Sequence, residues 1–178
     1  MTNRNLNQHN RRSIRLKEFN YSTPWWYYIT ICTYNRNNLF GQIINGKMIL
    51  SELGIIVEEE WLNTAKLRKD VELDYYVIMP NHFHGIPIIN SRDTARCVPT
   101  NEKRKFGEMV PGSLPVIVRS FKSAVTKRIN ELRNSPGEPV WQKNYYEHII
   151  RNQNDLNNIR MYIELNPLKW EIDEYYNK

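Results

Sequence analysis

The chain has 178 residues, a formal net charge of +6, a sequence pI of about 9.3 and 40% hydrophobic residues, enough to bury the core of one ordinary domain. Aromatics make up 12% of it, which excludes a disordered chain, and apolar runs such as Val77–Met79 fall far short of the ~20 residues that span a bilayer. The first twenty residues hold no apolar stretch of a secretory signal, and Cys32 and Cys97 make neither a disulfide framework nor a metal-binding spacing, so a cytoplasmic protein is expected.

Residues 1–20 form a polar arm with Arg4, Arg11, Arg12, Arg15 and Lys17 against Glu18, and the rest, 21–178, reads as one domain. Trp25–Tyr34 is rich in aromatic and β-branched residues and predicts a buried strand. Asn45-Gly46 between two short apolar runs predicts a tight hairpin. Ser51 opens a helix in which Leu53, Ile56, Val57, Glu60 and Trp61 fall at helical spacing and the run Glu58–Glu60 is the solvated side. Residues 71–79 and the run starting at His82 predict two strands joined by a tight turn at Pro80-Asn81. Residues 91–113 have no apolar period and predict a loop.

An amphipathic helix follows, with Val118, Phe121, Val125 and Ile129 inward and basic residues outward, ending at the Pro136–Pro139 stretch. The remainder, WQKNYYEHIIRNQNDLNNIRMYIELNP, predicts a short helical piece and a longer helix that stops before Pro167. The sum is an α+β fold, an antiparallel sheet with helices packed on it.

Charge is segregated. The arm, residues 91–110 and the helix at 114–133 together carry +10, while the remainder of the chain carries −4. Arg119, Lys122, Lys127 and Arg128 on that helix are candidates to neutralise phosphates of a polyanion.

Two side-chain groups point to chemistry. His82 and His84 are two apart in a strand, so both imidazoles project from one face while Phe83 turns to the other. Such a pair can hold a divalent cation if a third ligand comes from elsewhere, and neither cysteine lies near it in sequence, which argues against a closed zinc site. Tyr162 and Asn166 are four apart and share a helical face if the helix reaches Asn166. A tyrosine hydroxyl can act as a covalent nucleophile, and an amide oxygen suits Mg2+ or Mn2+. Tyr145, Tyr146, Tyr175 and Tyr176 lie nearby in sequence and satisfy the same chemistry.

PNHFHG on a strand, then the basic helix, WQKNYYEHIIRN and YIELNP, in that order, resemble the HUH single-strand DNA transposases, and within them the REP-associated tyrosine transposase branch. The likeness runs from about Phe19 to Trp170. It implies a ferredoxin- or RRM-like core, and Tyr162 as the nucleophile of a 5′-phosphotyrosine intermediate, with Tyr146 the fallback. It also implies a Mg2+ or Mn2+ site of His82, His84 and Asn166, where the insertion-sequence branch more often has Gln. Its expected partner is single-stranded DNA bearing a hairpin, read in part by Arg11, Arg12 and Arg15, and relatives act as monomers or homodimers. Two other readings stay open: a non-catalytic single-strand nucleic-acid-binding domain, and a nuclease that uses water as nucleophile.

Overall fold

The computed structural model describes residues 21, 23–91 and 110–176. The elements in chain order are β1 (Trp25–Cys32), β2 (Gly41–Ile44), β3 (Lys47–Leu50), α1 (Glu52–Leu67), β4 (Val71–Met79), β5 (His82–Ile89), α2 (Leu114–Leu132), β6 (Tyr146–Ile149) and α3 (Gln153–Leu165), which runs into a 3-10 helix over Pro167–Ile172. Four strands make one antiparallel sheet in the order β4-β5-β1-β6, and β2 and β3 form a separate hairpin. β1 and β5 are the two central strands, which explains why the aromatic and β-branched run Tyr27–Ile31 is buried on both faces.

Helices cover the sheet on both sides. On one face Ile29, Ile31 and Phe83 pack with Trp61 of α1 and Ile117, Phe121 and Val125 of α2. On the other, Tyr28 and Ile86 pack with Leu156 and Ile163 of α3. The alternation of β5 decides which side chains go where: Phe83 meets Trp61 and Phe121 at ring separations of 4.7 and 5.4 Å, while His82 and His84 face α3. Gly85, on the Phe83 side, has no room for a side chain, because a Cβ there would come within 2.8 Å of both Phe83 and Trp61.

Local signals act as the sequence predicts at most boundaries. Asn45 and Gly46 both take positive φ, 51° and 71°, the conformation of a type I′ hairpin turn. The Ser51 side chain accepts from the Gly54 N–H at 3.2 Å and caps α1. Val118, Phe121, Val125 and Ile129 are the buried stripe of α2. Among the described residues no helix is long and apolar enough to cross a membrane.

Three expectations are corrected. The short helical piece before α3 is instead the edge strand β6, whose Tyr146 and His148 pair with Thr30 and Tyr28 of β1. Four residues carry too little periodicity to declare themselves, and the free edge of β1 imposes the strand. β1 ends at Cys32 rather than Tyr34, because Tyr34–Arg36 turn into a short 3-10 helix. Glu58–Glu60 are not merely solvated. Glu58 accepts from Tyr76 Oη at 3.1 Å, and Glu59 and Glu60 hold Arg128 at 2.5 and 2.8 Å. The predicted loop is described only at residue 91 and from Val110, and the arm lies outside the described residues.

Candidate active site

The tight turn at Pro80-Asn81 starts β5, so its first residues carry His82 and His84 onto the α3 face, with ring centroids 4.5 Å apart. Both imidazoles are fully buried. α3 crosses this face and delivers its C-terminal turn to the pair. Asn166 precedes Pro167 yet keeps helical angles, φ −58° and ψ −44°, because the chain continues into the 3-10 helix instead of breaking. Tyr162 and Asn166 therefore do share a face. The Tyr162 ring lies edge-on to His84 at 5.3 Å and to Tyr28 at 6.4 Å.

The hydrogen bonds around His82 fix which of its nitrogens is bare. Asn81 Nδ2 donates to the carbonyls of Tyr175 (2.7 Å) and Arg36 (3.3 Å), so its Oδ1 must face His82 Nδ1, 2.8 Å away. An amide oxygen only accepts, so Nδ1 carries the proton and Nε2 offers its lone pair. His84 Nδ1 lies 2.8 Å from Tyr28 Oη and 2.9 Å from Thr30 Oγ1. Asn166 Nδ2 donates to Asp173 Oδ2 at 3.1 Å, which turns its Oδ1 away from Asp173. His82 Nε2, His84 Nε2 and Asn166 Oδ1 are all buried without a hydrogen-bond partner among the described residues.

Buried unpartnered polar atoms are costly, and two imidazole nitrogens plus an amide oxygen form a donor set suited to a divalent cation. No group of three or more His, Cys, Asp or Glu side chains among the described residues is placed to hold a metal ion. The amide oxygen of Asn166 adds a third buried, unpartnered donor atom to the two imidazole nitrogens. The residues fit the cation that the sequence led us to expect.

Burial dominates the electrostatics. It pushes His82 from the ordinary 6.5 down to about 3, with the Asn166 amide pulling slightly the other way, and holds His84 well below 6.5, helped by His82. Tyr162 is raised to about 12 by burial and by the Asp173 carboxylate, with Asn166 opposing. Both imidazoles are therefore neutral at pH 7, the state in which histidine ligates metals, and Tyr162 carries its proton.

The histidine shifts predict an acid sensitivity of the metal-free protein. Below pH 6.5 the unfolded chain binds protons on both imidazoles while the folded chain does not, so stability is full above 6.5 and declines below it, for His82 down to about pH 3 and for His84 until its own lowered value is reached. Each imidazole costs about 1.4 kcal/mol per pH unit in that window. Urea unfolding should show a loss of about 2–4 kcal/mol between pH 7 and pH 5 in the wild type beyond that of a His82→Asn/His84→Asn variant. Parallel pH profiles of the two proteins would refute this assignment.

The remaining predicted residues fall elsewhere. Arg119, Lys122, Lys127 and Arg128 are on α2, behind the sheet from the histidines. Lys122 donates to the carbonyls of Gln142 (2.7 Å) and Lys143 (3.3 Å), and burial lowers it to about 8. Arg128 is held by Glu59 and Glu60, and Lys127 faces Glu131 at 3.9 Å. α2 thus spends two of its four cations on packing the fold together. Arg11, Arg12 and Arg15 lie outside the described residues.

Of the other tyrosines, Tyr146 is on β6 beside Tyr28, at 6.2 Å, while Tyr175 lies tilted against His82 at 4.6 Å. Trp170 also lies against His82, at 5.9 Å, so the segment after α3 covers the histidines. Sequence reasoning missed Asn81 and Asp173 as orienting groups. Asn81 sat in the motif already singled out; for Asp173 no spacing rule gives a signal, because its reach depends on the 3-10 helix.

A protein of Haemophilus influenzae, described only as uncharacterized, is 43% identical to this chain over 181 residues, covering 98% of each. No protein-family profile matches the chain. Among solved structures, the REP-associated tyrosine transposase bound to a REP hairpin aligns with a TM-score of 0.52 and 18% identity, over 82% of this chain and 68% of that one. At that identity the likeness is one of fold, and it agrees with the α+β architecture described above.

Proposed function

The chain belongs to one family with the Haemophilus influenzae protein, and we propose that it is a tyrosine transposase-like enzyme that nicks and rejoins single-stranded DNA. The observation that carries this reading is that His82 Nε2, His84 Nε2 and Asn166 Oδ1 are all buried without a hydrogen-bond partner among the described residues, on two rings 4.5 Å apart and on the helix that sets Tyr162 against His84. A fold similar to that of the hairpin-bound transposase supports it and supplies the expected partner, a hairpin-bearing single strand.

A phosphodiester resists attack because its own charge repels nucleophiles. Mg2+ or Mn2+ held by His82, His84 and Asn166 would offset that charge and polarise the scissile phosphate. The chain supplies the rest. Asn81 holds the His82 imidazole in the orientation and tautomer that ligation needs, and the Tyr28 and Thr30 hydroxyls orient that of His84. Asp173 orients Asn166. Tyr162 Oη attacks phosphorus, the bond to the 3′ oxygen breaks, and the phenolic proton ends on the released 3′-OH. A 3′-OH attacking the phosphotyrosine then reseals a strand without ATP, since the phosphoester bond is conserved in the adduct.

The test is incubation of the protein with an end-labelled hairpin-bearing single strand and Mn2+, followed by denaturing electrophoresis. A denaturant-resistant protein–DNA band is expected. DNA cut with no such band points to water as nucleophile. The full burial of both histidines beneath Trp170 and Tyr175 favours a second reading, a domain that binds single strands without cutting them. Binding with neither cleavage nor adduct would establish it.

A further inference from the structure

Resting on the reading of this chain as a single-strand DNA enzyme, we propose that a cavity at the start of β1 is a nucleobase subsite that grips the strand near the scissile phosphate. The cavity encloses about 340 Å3 and is lined by Trp25, Trp26, Ile150, Arg151, Asn152 and Gln153. Two adjacent tryptophans stand 44% and 36% exposed there, though indoles are among the side chains that gain most from burial. Trp25 is fixed as a rigid wall, because its Nε1 donates to the Ile150 carbonyl at 2.6 Å. Trp26, partly bare beside that wall, is a platform on which any base can stack.

The polar rim suits a nucleotide. Arg151 is exposed at the edge of the cavity and supplies a cation for a phosphate. Asn152 commits its oxygen to the Asp155 N–H at 2.9 Å and Gln153 commits Nε2 to Asn157 at 2.8 Å, which leaves the Asn152 Nδ2 and the Gln153 oxygen without a further bond among the described residues. Donor and acceptor capacity thus sit side by side above the stacking wall, as the edge of a base requires.

Position connects this cavity to the chemistry. Trp26 and Thr30 point to the same face of β1, four residues or about 13 Å apart, a length of about four stacked nucleotides. Thr30 bonds His84. Between these ends, β6 lays His148 opposite Tyr28 and Tyr146 opposite Thr30, and both Tyr146 and Tyr162 are open to solvent. Trp26, Tyr28 and Thr30 of β1 and His148 and Tyr146 of β6 thus form a row of side chains on one face, running from the cavity toward the proposed active site, with His148 Nε2 held by Asp155 of α3 at 2.9 Å. A single strand laid along it has a base at the tryptophans when its phosphate is at the tyrosine.

The test is fluorescence anisotropy with a labelled 12-mer of thymidylate and a 12-mer of abasic sites. Wild-type protein should bind the thymidylate strand at least about tenfold more tightly than the abasic strand, in the range that a base–aromatic stack supplies. Trp26→Ala should lose most of that preference and Trp26→Phe should regain it. An unchanged preference in Trp26→Ala, no preference in the wild type, or a loss in Trp26→Phe as deep as in Trp26→Ala would each overturn the subsite. If base preference depends on Trp26 but no adduct forms on hairpin strands, the catalytic reading fails and the subsite stands. If neither strand binds, both fall.

Discussion

Tyr162→Phe is expected to abolish the denaturant-resistant adduct while changing affinity for a hairpin strand less than about twofold. The substitution removes one oxygen and keeps the ring. The edge-on contacts with His84 and Tyr28 are ring contacts, and the Ile163 and Leu156 packing of α3 does not involve the hydroxyl. What is lost is the hydroxyl of a half-exposed ring that lies beside His84 and one helical turn before Asn166. Tyr175 is the serious competitor, because it touches His82, but burial raises its hydroxyl even further than that of Tyr162. Tyr146 is solvent-exposed and packs against Tyr28. Tyr175→Phe and Tyr146→Phe should both retain the adduct on electrophoresis. An undiminished adduct in Tyr162→Phe, or its loss in either of the other two, moves the nucleophile elsewhere.

Much of the architecture was legible because strong local signals and tertiary context agree in this chain. The period-2 pattern at 71–79, the Asn45-Gly46 turn, the Ser51 cap and the stripe from Val118 to Ile129 each act within a few residues, and each holds. β6 failed for the opposite reason. Its hydrogen bonds go to β1, more than a hundred residues away, and nothing within Tyr146–Ile149 announces that partner. The histidine pair was legible since strand alternation alone puts His82 and His84 on one face. Asn166 needed the resemblance, because a residue before proline is biased away from helix and here stays in it.

Charge was the least transferable inference. Counted along the chain, α2 reads as a phosphate-binding helix. In three dimensions Arg128 answers Glu59 and Glu60 of α1, and Lys122 reaches two backbone carbonyls. Segregation in sequence measured how much positive charge sits on α2, not where its partners are. The acidic run on α1 and the basic run on α2 each read as a solvated face when taken alone, and together they form part of an interface. The same logic lifts weight from the back of the sheet and places it on the aromatic lane along β1 and β6.

The second large effect concerns metal binding read through stability, independent of any cleavage. Mn2+ at about a hundred times its Kd should stabilise the wild type by about 2.7 kcal/mol, since it binds the folded chain alone. For a chain of this size that is a rise in Tm of about 5–11 °C. The direction follows from the site: an ion there would give partners to three buried atoms that have none among the described residues. His84→Ala should remove the rise, because an alanine leaves two ligands. Asp173→Ala tests the orientation of the third. Without the Asp173 oxygen, 3.1 Å from Asn166 Nδ2, the Asn166 amide is free to turn its nitrogen toward the histidines, so Mn2+ affinity should fall about 10–100-fold. Thermal melts with and without Mn2+ separate this from a packing defect, which would lower the metal-free Tm but leave the metal-induced rise intact. A full rise in His84→Ala would mean that the ion binds somewhere other than the histidine pair.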